Sequence, residues 1–470
     1  MKKFILLALA ANLLVTNVFS QYNIELEIKG EKDKDVYLAS HLGESKYAVD
    51  TARLDKKGNA VFKGDKSLNP GMYLFVVGDG QIMDFLISDE KNQTFSVSTT
   101  KDKYTEDAKF KNSPENEVFS AYIKFLLEQM NSAKKIEERY QKNPSDKIKD
   151  ELVKEMELQK KQRKAKIDEI GAQYPNSFLH SVVAAVPVTL EPENIPEEIR
   201  NMSEESEEFR KYQYEYFKAH YFDNMNLADI RMQHTPILIP ALEYYFNKVL
   251  PPIPDTIINN FDRMFAKTKG DTAMAIFLTG YVMDNFSKST TMGLENVVVH
   301  IIDNYYLSGK VTIDSEKFMT NITQYAASNR ESLIGKQSKE LKMEAINGTY
   351  ESLYDIDAPY TLVYFYEPTC GFCKQETPKI YALYEQYKDK NLKALCVYVG
   401  NDKQEWLSYI TSNKMTDWIN VWDPQNSNNY RTVFNLQTLP QIYLLDKDKK
   451  IIGRRLDSAN LAKMLDHSFK

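Results

Sequence analysis

Cysteine is scarce in this chain: 470 residues hold three, Cys370, Cys373 and Cys396. A secreted protein stapled by disulfides would carry several pairs, so a structural disulfide framework is excluded. Histidine is thin too, with six residues scattered from His41 to His467. No second cysteine pair and no histidine pair at ligand spacing exists, which argues against a zinc site, since zinc takes about four ligands. Excess basic charge is also missing. The formal net charge is -6, which gives no basic surface to favour nucleic acid. Beyond Gln21 no run is apolar and long enough to span a bilayer, so the mature chain is expected to be soluble. Neither a repeat period nor a low-complexity tract is found.

What is present begins with a leader. Lys2 and Lys3 precede the apolar run Phe4 to Leu14, and Val18-Phe19-Ser20 follows where a signal peptidase reads small or compact residues. The run falls short of the ~20 apolar residues of a spanning helix. Residues 1–20 are therefore expected to be a signal peptide, with Gln21 first in a mature protein of the periplasm or cell envelope. No cysteine lies near the cleavage site, which argues against a lipid-anchored form.

At about 150 residues per domain, this length predicts roughly two to four domains. From 21 to 110, short Val-, Ile-, Phe- and Tyr-rich runs alternate with turn residues: Ile24–Ile28, Val36–Ala39, Ala60–Lys63, Met72–Val77, Ile82–Ile87 and Phe95–Ser98. This pattern predicts an all-β, sandwich-like domain. Asp55-Lys56-Lys57-Gly58 is a turn signal between two of the runs. Residues 111–330 read as a helical domain. Ser113-Pro114 supplies a cap and a first-turn proline, and Val118, Tyr122, Phe125 and Leu126 recur at helical spacing. The very highly charged stretch 145–173 reads as a solvated amphipathic helix. Breaks are expected at Pro175, at Pro192 to Pro196 and at Pro251-Pro252-Ile253-Pro254. Residues 331–470 alternate strand-like and helix-like segments, as βα units around a central sheet do. The whole is a multidomain α+β protein.

The chemistry lies in that last part. Thr361 to Tyr366 is a near-continuous apolar and aromatic run, the mark of a strand covered on both faces. Cys370-Gly371-Phe372-Cys373 follows and should open a helix. A thiol at a helix N-terminus meets unpaired N–H groups and the positive end of the helix dipole, which stabilise a thiolate. Cys370 is therefore the expected nucleophile, and Cys373, one turn further in, the resolving thiol. Half a zinc site and an inert disulfide are the competing readings of the pair. Cys396 sits in the strand-like run Leu392 to Val399 and reads as a small apolar filler.

The segment Tyr364-Phe365-Tyr366-Glu367-Pro368-Thr369-Cys370-Gly371-Phe372-Cys373-Lys374-Gln375-Glu376-Thr377-Pro378 resembles the active-site strand and helix of the thioredoxin superfamily. Within it, the placement of Glu376 and Pro378 is most similar to the TlpA-like oxidoreductases of bacterial envelopes. The three-part layout is similar to large thioredoxin-like proteins of the Bacteroidetes. The resemblance covers roughly the last 135 residues, the size of one thioredoxin-like α/β domain. It implies a cis-proline loop at Thr438-Leu439-Pro440 facing the cysteines; an ordinary trans proline at a strand start is the alternative. It also implies substrate binding by Gly371, Phe372, Leu439 and Pro440, and a proton-handling role for Glu376 beside Cys373; an exposed helical glutamate is the plainer reading.

Two positions depart from the family pattern. The buried Asp that many thioredoxins carry six residues before the first cysteine is Tyr364, and the usual Trp before that cysteine is Thr369. Glu367 is placed to raise the Cys370 thiol's pKa by charge repulsion. The resulting expectation is a protein disulfide oxidoreductase, as reductant or isomerase, with protein thiol or disulfide substrates and a membrane electron donor. No cofactor, metal or nucleic acid is expected. A thiol peroxidase or a binding protein with incidental thiols are the alternatives. Gly371-Phe372 matches neither the common reducing nor the common oxidising dipeptide, and no feature of the sequence sets an oligomeric state.

Overall fold

Alternation shapes the first strand. Tyr22, Ile24, Leu26 and Ile28 of β1 (Tyr22–Lys29) are buried and the residues between them are not, the period of two of a sheet covered on one face. In the computed structural model of the protein, residues 21–469 are described except 79, 90, 92, 186–194 and 204. The expected leader at 1–20 and Pro192 of the expected break lie outside the described residues, whereas Pro196 stands directly before a short helix at Glu197–Arg200. The chain divides into two compact units, one ending at Val249 and one beginning at Leu250.

In the first unit, β1 is followed by β2 (Asp35–Leu42), β3 (Ser45–Arg53), β4 (Asn59–Gly64), β5 (Gly71–Val77), β6 (Gly80–Ile87), β7 (Thr94–Thr100) and β8 (Lys109–Lys111). They form two sheets, ordered β4-β1-β7-β8 and β3-β2-β5-β6. The inner faces share one core, in which Phe75 stacks on Phe85 at 4.8 Å and Phe85 meets Phe95 edge-on at 5.7 Å. The sandwich-like reading therefore holds, with β3 and β8 added. β3 has no buried position, so its sequence carries no apolar alternation to announce it. The turn at Asp55 forms as expected: its Oδ1 accepts from the N–H of Lys57 at 2.7 Å and of Asn59 at 2.8 Å. Gly58 there has φ +87°.

Helices α1 (Pro114–Lys142), α2 (Asp146–Gln173), α3 (Phe178–Ala184), α4 (Glu197–Arg200), α5 (Glu207–His220) and α6 (Leu238–Tyr244) complete this unit. Pro114 opens α1, but Ser113 caps it by position alone. The Ser113 hydroxyl accepts from the Asn116 side chain at 2.9 Å, and Asn116 in turn brackets both backbone groups of Leu86 in β6. α1 and α2 are clamped by Gln159, whose amide donates to the Gln129 carbonyl at 2.9 Å, and by the weaker reverse bond at 3.3 Å.

The second unit begins with helices α7 (Pro254–Ala266), α8 (Thr272–Ser287), α9 (Glu295–Ile301) and α10 (Glu316–Asn329). The helical stretch of the chain is thus shared between the two units, and the proline cluster 251–254 stands at the start of the second. There follow β9 (Lys342–Ala345), β10 (Tyr350–Ser352), β11 (Tyr360–Tyr366), α11 (Gly371–Tyr387), β12 (Leu392–Tyr398), α12 (Lys403–Ser412), β13 (Ile419–Trp422), α13 (Tyr430–Val433), β14 (Gln441–Asp446), β15 (Ile451–Arg454) and α14 (Ser458–Ser468). The sheet runs β10-β9-β13-β12-β11-β14-β15. β11, β12 and β13 are parallel, and β14 is antiparallel to β11. β11 lies inside the sheet between β12 and β14 and alternates between two cores, with Leu362, Tyr364 and Tyr366 in one and Val363 and Phe365 in the other. That double burial is why its sequence is a continuous apolar run.

The helical part is tied to the sheet through Asn329 at the end of α10. Its Oδ1 accepts from Arg454 of β15 at 3.1 Å and from Asn435 at 3.0 Å, all three residues being buried.

Candidate active site

The strand β11 ends at Tyr366, and the loop Glu367-Pro368-Thr369 delivers Cys370 to the N-cap of α11. The Cys370 Sγ accepts the Cys373 N–H at 3.1 Å. A sulfur thus fills the capping position usually taken by an oxygen, satisfying one of the free donors of the first turn. The Cys370 S–H points to the Leu439 carbonyl at 3.4 Å, and the Leu439-Pro440 peptide bond is cis. Two segments 69 residues apart in the sequence therefore meet at one sulfur.

The two thiols differ in their surroundings. Cys370 is half-buried and Cys373 is fully buried. Burial pushes the Cys373 thiol well up, and its hydrogen bond with Cys370 and the negative charges of Cys370 and Glu367 push the same way. Cys396, on β12 opposite Tyr364, is buried completely and is likewise raised by burial.

Gly371 and Phe372 face outward between the cysteines. Phe372 is 71% exposed, a bare aromatic ring beside the accessible thiol. Of the residues expected to bind substrate, Gly371 and Phe372 adjoin Cys370 in the chain, and the Leu439 carbonyl meets the Cys370 sulfur. Glu376 is placed differently from the sequence expectation. Its carboxylate accepts the Ser458 N–H of α14 at 2.9 Å and pairs with Lys379 at 2.7 Å. Burial pushes its pKa up, but Lys379 and the Ser458 N–H outweigh that and hold it below the usual carboxylate range. Its hydrogen bonds tie α11 to α14, and none of those described joins it to Cys373.

The polar groups that do stand behind Cys373 are hydroxyls. Thr377, one turn along α11, donates to the Cys373 carbonyl at 2.8 Å. Its Oγ1 also bonds the hydroxyl of Tyr364 at 2.7 Å and that of Tyr409 at 2.9 Å. All three are buried. Sequence reasoning marked Tyr364 only as a missing Asp and overlooked Thr377 and Tyr409. The signals were there: Thr377 lies four residues after Cys373 and so shares its inward face, and Trp406, Tyr409 and Ile410 have the spacing of a buried helix stripe on α12.

Comparison with known proteins gives the following. A family model described as thioredoxin-like matches residues 359–451. Two models described as domains of unknown function match residues 22–119 and 155–327. Among solved structures, a domain of a possible thiol-disulfide isomerase from Cytophaga hutchinsonii is 36% identical, covering 29% of this chain and 92% of that one, with a TM-score of 0.28. A thioredoxin-like protein from Bacteroides caccae is 20% identical over 59% of this chain and 98% of that one, with a TM-score of 0.43. A thiol:disulfide interchange protein from a Bacteroides species is 23% identical over 29% and 90%, with a TM-score of 0.28. No curated protein matches.

Proposed function

The chain belongs to the thioredoxin superfamily, and on that premise we propose that it is a disulfide oxidoreductase of the cell envelope, acting on protein thiols through Cys370 and Cys373. The observation that carries this reading is the Cys370 sulfur at the N-cap of α11, accepting the Cys373 N–H at 3.1 Å with the buried second thiol directly behind it.

The steps follow from that placement. The Cys370 thiolate attacks one sulfur of a substrate disulfide; a new S–S bond forms, the old one breaks, and a substrate thiolate leaves. Cys373 then attacks Cys370, releasing the second substrate sulfur as a thiol. The substrate is reduced by two electrons and the dithiol is oxidised by two. Turnover as a reductant needs a dithiol donor to return those electrons, and for an exported protein that donor is a membrane protein. Phe372 supplies an exposed apolar ring for a substrate chain, and the Leu439 carbonyl stands at the attacking sulfur.

The test is a redox titration of the mature protein in thiol-disulfide buffers, with free Cys370 and Cys373 counted by mass after alkylation. A reversible two-electron transition is expected; near about -270 mV it marks a reductant and near about -120 mV an oxidant. A pair locked in one state across the accessible range overturns the reading. N-terminal sequencing of the exported protein checks the start at Gln21.

A further inference from the structure

In the position where a thioredoxin-type site has a buried carboxylate, this molecule has Tyr364, and the one acid on the same helix turn, Glu376, is committed to Ser458 and Lys379. Thr377 has one hydroxyl proton and two lone pairs. With its proton on the Cys373 carbonyl, the phenols of Tyr364 and Tyr409 must both donate to Thr377 Oγ1. Each phenol is therefore held in place by a hydrogen bond that a stronger acceptor would win. The Cys373 side chain is buried in the same core cluster as both tyrosine rings, and Thr377 ties the two phenols to the Cys373 backbone.

We propose that the Tyr364–Thr377–Tyr409 hydroxyl cluster takes the place of a buried carboxylate in the resolving half-reaction, steadying the Cys373 thiolate by phenol donation while its proton leaves without passing through a protein acid. This rests on the dithiol reading above. The balance is Cys373–SH plus Cys370–S–S–R giving Cys370–S–S–Cys373 plus R–SH: the Cys370–R bond breaks, the intramolecular disulfide forms, and the proton of Cys373 ends on the departing substrate sulfur or in solvent. Thr377 acts through the two phenols and is a positioning residue. A hydrogen bond to a charged sulfur is stronger than one to a neutral hydroxyl, so the two phenols swing to Cys373 only while it is ionised.

The groups facing Cys373 set what the pH profile can contain. They are Tyr364 on β11, Glu367 on the loop, Cys370 and Thr377 on α11, and Tyr409 on α12, with Cys396 of β12 behind Tyr364. Glu367 is the single carboxylate among these; its backbone hydrogen bond favours the Cys373 thiolate, and its charge, the smaller of the two effects, opposes it.

The experiment uses the reduced full-length mature protein and an aromatic disulfide, dithiobisnitrobenzoate, in stopped flow. The first coloured thiolate released reports attack by Cys370, and the second reports resolution by Cys373. The first phase is expected to be the same in the parent, Tyr364→Phe and Tyr409→Phe. The second phase is expected to slow about tenfold in each variant near neutral pH, the size of one lost hydrogen bond to a charged group. In the parent it should rise with pH along a single ionisation. If Tyr364→Phe fails to fold, Tyr409→Phe carries the test. The inference is overturned if both variants resolve at the parent rate, or if the parent profile shows a carboxylate ionisation that Glu367→Gln or Glu376→Gln removes. Loss of both phases in the parent would instead sink the dithiol reading itself.

Discussion

Glu376 shows how a side chain's partners, more than its spacing, decide its role. Spaced one turn beyond Cys373, it looks like a proton acceptor. Folded, it caps the first turn of α14 and pairs with Lys379. Because its folded pKa is lowered, its contribution is present above the unfolded carboxylate value of about 4.3 and is lost as pH falls through the folded value. Glu376→Gln should therefore destabilise the protein by about 1 kcal/mol near neutral pH. The gap between the two urea midpoints should close in acid, and a gap that stayed constant with pH would contradict the assignment. The cysteines were legible at this scale because a strand-to-helix junction needs only local sequence. The Ser458 N–H was not, since it comes from 82 residues away.

Among elements, the turn between β3 and β4 is the clearest case of sequence dictating backbone. Gly58 has φ +87°, and a Cβ there would lie 2.2 Å from the Ile28 carbonyl oxygen. Gly58→Ala should cost more than about 1 kcal/mol, read as a lowered midpoint in chemical denaturation. An unchanged midpoint would mean that β1 gives way easily. The two strands that this turn joins, one in each sheet, show where legibility ends. β4 alternates buried and exposed residues and was read from the sequence, whereas β3 buries none of its residues and is held by pairing with β2. Ser113 was read correctly as a helix start, but the partner of its hydroxyl, Asn116, is set by the need to satisfy Leu86 on a neighbouring strand.

For the molecule as a whole, the division at Leu250 assigns helices α7 to α10 to the same unit as the sheet bearing the cysteines. Composition shifts near residue 331 suggest a boundary there, but they carry no information about which distant residues pack together. Asn329 is what a cut at 331 would remove. Arg454 is buried with its Nε and Nη1 unpaired, so the Asn329 Oδ1 is a main acceptor for a charge that has few. Removing it should leave a buried donor unsatisfied. Asn329→Ala is expected to lower the stability of the second unit by about 2 kcal/mol, seen as a lower thermal midpoint with the cysteine alkylation pattern unchanged. A midpoint equal to the parent's would show that Arg454 finds another acceptor.

The aromatic packing around the site has an optical consequence. The protein has three tryptophans, 406, 418 and 422, and all of them lie in the second unit. Trp418 packs edge-on to Tyr364 at 6.4 Å, and Trp406 stacks on Trp422 at 5.5 Å. Emission excited at the red edge, where only indole absorbs, therefore comes from the cysteine-bearing unit alone. Far-ultraviolet dichroism sees both units. A melt followed by the two probes together is thus a built-in comparison of the units: coincident curves mean that they unfold as one cooperative body, and separated curves give each its own transition without a label or a cut.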